Sequence, residues 1–144
     1  MASKDHQLIL GLVTRKMREK GYEIICFDGN EKIISDISLR APFTIRKHKP
    51  DAIGVNIVNK KICIGEAKTS SDLDSKRTKD QFSDYSNLFA MDSKKPCEII
   101  IGIPRSSENK LIRLLDSLGI NNNPNVSYVW MPDEFLSKNE EHSI

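Results

Sequence analysis

Residues 50–68 read PDAIGVNIVNKKICIGEAK, from Pro50 to Lys68. Two runs rich in β-forming residues, Asp51 to Val58 and Lys61 to Ala67, flank a polar turn at about Asn59-Lys60, which predicts an antiparallel hairpin. Side chains alternate between the two faces of a strand, so Asp51 shares a face with Ile53, Val55 and Ile57. On the second run Glu66 and Lys68 share a face with Ile62 and Ile64. A turn centred near Val58 to Lys60 sets Asp51 opposite the Glu66 to Lys68 end, within a residue or two of register. Two carboxylates and an ammonium thus converge at one end of the hairpin.

Two carboxylates beside a core resist desolvation and repel one another, which drives one of them towards protonation. A hard divalent cation relieves both costs. Oxygen ligands with open positions for water and phosphate suit Mg²⁺ or Mn²⁺, whereas zinc more often recruits His or Cys. Lys68 is placed to orient or deprotonate an attacking water, or to stabilise a pentavalent phosphate. The spacing alone also fits a plainer reading, in which Asp51 ends a strand after Pro50 and Glu66 and Lys68 form an ordinary edge pair.

Outward from the hairpin, Ile9, Leu12, Val13 and Met17 recur at helical spacing over about Lys4 to Lys20, with Ser3 as N-cap and Gly21 as stop. Tyr22 to Phe27 reads as a strand, and Ile33 to Leu39 as a weaker one. Beyond the hairpin, a polar loop over Thr69 to Ser75 leads into a helix predicted from Lys76 to Met91, with Phe82, Tyr85, Leu88 and Phe89 on one side. Glu98 to Ile103 reads as a buried strand stopped by Pro104. A second helix follows, capped by Ser106 or Ser107, carrying Leu111, Ile112, Leu114, Leu115 and Leu118, and ending at Gly119. Val126 to Trp130 is the last strand before a short acidic tail from about residue 133. This order predicts an α/β domain with a mixed central sheet flanked by helices.

The 144 residues fit one domain, and a 38% hydrophobic share supplies a core. The longest apolar runs are too short to cross a bilayer, and Lys4 and Asp5 stand where a signal peptide would be apolar, so a soluble, cytoplasmic protein with no membrane partner is expected. Cys26, Cys63 and Cys97 lie singly in strand-like segments and read as reduced core thiols. A net charge of +2 is too small to mark a nucleic-acid binder, so any such role falls to local clusters. These are Arg15, Lys16, Arg18 and Lys20; Arg46, Lys47, His48 and Lys49; and Lys76, Arg77 and Lys79. Each cluster also fits a solvated surface.

Pro50-Asp51 and Glu66-Ala67-Lys68, followed on the next helix by Gln81-Phe82-Ser83-Asp84-Tyr85, resemble the PD, ExK and QxxxY motifs of the PD-(D/E)XK nuclease superfamily, particularly its RecB-like and Holliday-junction-resolvase-like members. The resemblance spans roughly Asp5 to Pro104. It implies a restriction-endonuclease-like αβββαβ core and Mg²⁺-dependent hydrolysis of DNA phosphodiesters, with Mn²⁺ able to substitute, by an endonuclease of repair, recombination or restriction. Asp51, Glu66, Lys68 and Gln81 would be catalytic. The metal would be held by Asp51, Glu66 and the Ala67 carbonyl. Many members carry a further acid on the first helix; here Asp5, in line with Ile9 and Val13, is the candidate to complete the metal site, His6 and Gln7 compete for that role, and the position is ambiguous against the family pattern, a first-turn carboxylate favoured by the helix dipole being the bland alternative.

Gln81 and Tyr85 lie four apart, on one helix face, where an amide and a phenol can meet DNA phosphate. Arg15, Arg18, Arg46, Lys47, His48 and Lys49 would bind backbone phosphates and make affinity salt-dependent. A homodimer would set two centres on two strands. Three cysteines fall short of the four that an iron–sulfur branch of the family needs. The reading set against this one is a non-cleaving nucleic-acid-binding or assembly subunit that keeps the fold.

Overall fold

Ser3 opens the first helix by accepting a hydrogen bond on Oγ from the His6 N–H at 3.1 Å, and Gly21, at φ +95°, lets the chain turn out of it. The structure is a computed structural model and describes residues 3–28, 45, 47–91 and 93–137. Along these run helix α1 (Lys4–Glu19), strands β1 (Glu23–Phe27), β2 (Ala52–Val55) and β3 (Ile62–Ala67), helix α2 (Lys76–Ser86), strand β4 (Glu98–Pro104), helix α3 (Glu108–Ser117) and strand β5 (Val126–Met131). The predicted strand at Ile33 to Leu39 lies outside the described residues. None of the described helices is long and apolar enough to cross a membrane.

The five strands form one mixed sheet in chain order, β1 to β5. β1, β2 and β3 are antiparallel neighbours, and β3, β4 and β5 run parallel. The hairpin register pairs Ala52 with Gly65 and Val55 with Ile62. One step further, Asp51 stands level with Glu66, as the sequence spacing predicts. The turn is longer than the two central residues: the Asn56 side chain accepts from the Val58 and Asn59 N–H groups, and Lys60 takes the left-handed conformation at φ 63°.

Parallel strands need both faces covered, and β4, buried at every position, has both. On one face α1 lays Ile9, Leu10, Val13 and Met17 against Ala52, Cys63, Ala67 and Ile100. Two glycines permit this close crossing. A Cβ at Gly65 would stand 2.8 Å from Val13 Cγ1 and from Met17 Sδ, and one at Gly102 would stand 2.8 Å from Ile9 Cγ2. On the other face Phe82, Tyr85, Leu111 and Leu115 pack on Ile64, Ile99, Ile101 and Ile103. Alternation therefore assigns Ile64, Glu66 and Lys68 to the α2/α3 face. All three cysteines are buried free thiols.

Two segments differ from the sequence prediction. α2 stops at Ser86 instead of reaching Met91, because Leu88 to Cys97 double back in a small loop with a Phe89–Pro96 bridge, leaving Phe89 62% exposed. The expected tail begins folded: Asp133–Phe135 form a 3₁₀ turn, Leu136 is buried, and the Ser137 N–H donates to Asp5 Oδ1 at 2.9 Å. Residues 138–144 lie outside the described ones.

Candidate active site

The hairpin ends in a reciprocal pair of hydrogen bonds. The Asp51 N–H donates to Glu66 Oε2 at 2.8 Å, and the Ala67 N–H donates to Asp51 Oδ2 at 2.9 Å. Main-chain donors on strands of fixed register thus aim both carboxylates. Lys68, the next residue along the Glu66 face, donates from Nζ to Gln81 Oε1 at 2.5 Å and stands 3.9 Å from Glu66 Oε1. α2 presents Gln81 one turn into its buried face, so the amide fixes an ammonium that would otherwise have several rotamers.

These groups line a polar cavity of about 500 Å³. Asp51, Glu66, Ala67, Lys68 and Gln81 form one side of it, all of them expected from the sequence. The rest of the lining comprises His6, a first-helix candidate from the sequence, together with groups that the sequence did not assign to the site: Ser3 at the start of α1, Thr69, Ser71 and Asp72 from the loop after β3, and Arg77 from the first turn of α2. The loop is held by Asp72 Oδ2, which accepts from Thr69 N–H and Oγ1, both at 2.9 Å. Arg77 sits one helical turn before Gln81, a spacing that places the two on one face and is visible in the sequence.

Glu66 is only 1% exposed, and burial, reinforced by the charge on Asp51, pushes its carboxyl well above the usual carboxylate range. Lys68 and the Asp51 N–H pull the other way. His6 Nε2 lies 3.2 Å from Asp51 Oδ2, and that contact raises the imidazole above its ordinary pKa, since a protonated ring gains the carboxylate as a partner. Its Nδ1 is buried with no partner among the described residues.

Of the three first-helix candidates, His6 is the one at the carboxylates. Asp5 instead ties down Ser137 and does not line the cavity. Gln81 is buried at the site. Tyr85 is fully buried beneath it: its hydroxyl has no partner among the described residues, and burial, with the charges of Glu66 and Asp51, raises its pKa. A phenol without solvent access does not meet DNA directly, which corrects the expected nucleic-acid contact at Tyr85. His48 is buried as well, bonded to Asp84 Oδ2 at 2.7 Å, with its ring edge-on to Tyr85 at 5.6 Å between centroids. Lys47 and Lys49 are exposed, and Arg46 lies outside the described residues. Arg15 and Arg18 project from the exposed side of α1, and Arg15 lies about 13 Å along the axis from His6 at 1.5 Å per residue, so the structure does not bring them to the cavity.

Among the described residues, no three His, Cys, Asp or Glu side chains are grouped so as to hold a metal ion by themselves. Two carboxylates do face one polar cavity, and a buried, mutually repelling pair is the chemistry that a hard cation relieves. Mg²⁺ retains several waters and is commonly bound through one or two carboxylates, so Asp51 and Glu66 fit it, with the Ala67 carbonyl as a further oxygen. When bound, such an ion would acidify a water and neutralise charge on a phosphoryl group. Lys68 is then positioned to hold or move a proton at Nζ beside Glu66, and Gln81 keeps it there. Arg77 offers a guanidinium suited to a phosphate oxygen.

Comparison with models of known protein families, with curated proteins and with solved structures finds no match to this chain.

Proposed function

We propose that this chain is a divalent-metal-dependent nuclease that hydrolyses DNA phosphodiester bonds, an endonuclease of repair, recombination or restriction, using Mg²⁺ or Mn²⁺. One observation carries the reading: Asp51, Glu66 and Lys68, far apart in sequence type and fixed by a single hairpin, face one polar cavity with Gln81 locked onto the lysine. Pure binding has no need of two convergent acids, one of them buried against its own charge. The succession α1, β1 to β3, α2, β4 fits the αβββαβ restriction-endonuclease-like core, and we read the fold in that sense. Three unpaired thiols suit a reducing, cytoplasmic compartment. A homodimer would place two centres on a duplex.

The test is a substrate panel of linear duplex, single-stranded, flapped and four-way-junction DNA, plus RNA, with Mg²⁺, Mn²⁺ or EDTA. Cleavage by wild type with either metal, lost in EDTA and in Glu66→Ala and Lys68→Ala, is the expected result. Cleavage that survives both substitutions rejects the mechanism. Binding without cleavage on every substrate turns the reading into that of a non-cleaving nucleic-acid-binding or assembly subunit.

A further inference from the structure

The rim on which the candidate site lies extends beyond it. β3, β4 and β5 are parallel, so their carboxyl ends share one edge of the sheet, the usual place for ligands in open α/β sheets. Ala67 is level with Gly102, and Gly102 with Val129, so the next residues along the rim are Lys68, Ile103 and Trp130 in one row. Lys68 keeps this register past the strand end by donating its N–H to Gly102 O at 2.9 Å.

Alternation sets the face. Ile64, Ile103 and Tyr128 belong to the cluster under α2 and α3, whereas Ala67, Val129 and Met131 belong to the one under α1. Trp130, two residues from Tyr128, is therefore on the same face as Glu66 and Lys68, two strand spacings or roughly 10 Å across the sheet from Lys68. Between them the rim carries Ile103, which is buried.

Trp130 is the only tryptophan of the chain, and it is 39% exposed. An indole on a strand next to a core is ordinarily covered; this one is covered in part by a cation, with the Arg105 guanidinium 5.0 Å from the ring centroid. Arg105 is held in place from its own turn. The Ser106 N–H and Oγ donate to Asp133 Oδ1 and Oδ2 at 2.9 and 2.6 Å, pinning the Arg105–Ser107 turn to the segment that follows β5.

An exposed, pre-positioned indole paired with a guanidinium, level with a phosphodiester-cleaving centre and on its face of the sheet, has the chemistry of a base-stacking platform. We propose that Trp130 stacks an unpaired nucleobase of the substrate strand while Arg105 meets the adjoining phosphate, so that this protein favours substrates with single-stranded character beside the cut. The inference rests on the nuclease reading of the neighbouring site. A base held inside a duplex has no free face to offer, whereas an unpaired one does, so the platform discriminates by strand state more than by sequence.

The single tryptophan supplies the readout. Wild-type protein in EDTA, and Glu66→Ala protein, are titrated with oligo-dT and with a blunt duplex of equal length, following tryptophan fluorescence and, for all variants, the anisotropy of a labelled oligonucleotide. Oligo-dT is expected to quench the fluorescence saturably. Trp130→Ala is expected to weaken oligo-dT binding roughly five- to a hundredfold, the range for one stacked base, with Trp130→Tyr restoring most of it and Trp130→Leu not. Arg105→Ala should weaken binding with a shallower salt dependence, and blunt-duplex binding should hardly respond to Trp130.

Oligo-dT binding with unchanged fluorescence, or unchanged affinity in a folded Trp130→Ala, overturns the stacking site and leaves the nuclease reading standing. Equal losses for duplex and single strand also overturn it. A fluorescence change on raising protein concentration alone, accompanied by a dimer in sedimentation velocity, assigns Trp130 to an interface between copies and overturns it too. Failure to bind or cut any nucleic acid rejects both readings together.

Discussion

Asp51 and Glu66 are each held by the main chain of the other's strand: the Asp51 N–H donates to Glu66 Oε2, and the Ala67 N–H beside Glu66 donates to Asp51 Oδ2. The two acids are thus fixed by the hairpin register itself, and a slip of one residue would send both to the opposite face. This relationship makes the electrostatics of the pair a property of the fold.

In EDTA the buried pair should weaken the protein as pH rises. Burial and the charge on Asp51 raise the folded-state pKa of Glu66 above the ordinary carboxylate range, so between the unfolded and folded values the folded state binds more protons than the unfolded. Its stabilising effect is full below the unfolded pKa and is lost as pH climbs through the raised one. Urea midpoints of wild type and Glu66→Gln, measured from pH 4 to 8, should therefore diverge, with the variant gaining on wild type towards neutral pH. Saturating Mg²⁺ should reduce the wild-type loss. Parallel curves in EDTA would contradict the assignment.

Lys68→Ala should lower the cleavage rate about 10²- to 10⁴-fold, the usual scale for a proton-handling group. Gln81→Ala, which frees Nζ from its 2.5 Å hydrogen bond, should cause a smaller loss, seen in kcat more than in KM. Mg²⁺ affinity measured by calorimetry should survive both. A Gln81→Ala enzyme with wild-type kcat would remove the amide from the mechanism.

Gly102→Ala should destabilise the fold by about 1–3 kcal/mol, because the added methyl meets Ile9 and Val13 of α1 where the helix has no slack. Gly65→Ala is expected to behave similarly against Val13 and Met17. Gly119, with open space around its missing Cβ but φ +74°, serves as the contrast, since Gly119→Ala strains only the backbone. Thermal or urea unfolding ranks the three.

At the far end of β4, Glu98 is buried and accepts from the Tyr22 hydroxyl at 2.7 Å and from the Lys20 ammonium. Glu98→Ala should cost about 3–5 kcal/mol, the scale for breaking a buried pair, and Tyr22→Phe about 1.5–3 kcal/mol, the scale for one bond to a charged acceptor. Because this cluster is at the opposite sheet end from Lys68, neither change should alter cleavage per folded molecule. A double-mutant cycle of Tyr22 with Glu98 checks the coupling.

The hairpin and its three charged residues were legible because a period of two fixes which side chains share a face once the turn is located. α1 was legible too, from its apolar stripe and from Ser3 and Gly21. Which polar residue of its first turn reaches Asp51 was not: Asp5 and His6 are 100° apart on the wheel, and only the crossing angle over Gly65 and Gly102 decides for His6. α2 was overextended because Leu88 and Phe89 continue the helical spacing; periodicity records what can be buried and not that the chain doubles back between Phe89 and its bridge partner Pro96. Tyr85 read as a candidate DNA contact from its place in the QxxxY match and His48 from its place in a basic run, but both rings are buried. Arg77 carried a signal, one turn before Gln81, that its place in a basic run obscured.

The stretch after β5 looks from its composition like a loose end, yet it behaves as a clasp. Asp133 grips the turn that carries Arg105, while Ser137 grips Asp5 in the turn that carries His6. Two flanks of the same rim, about a hundred residues apart along the chain, are thereby kept at a set spacing by a few residues outside the motifs. Trimming the protein at residue 132 would spare every motif and still unfasten the frame in which they operate.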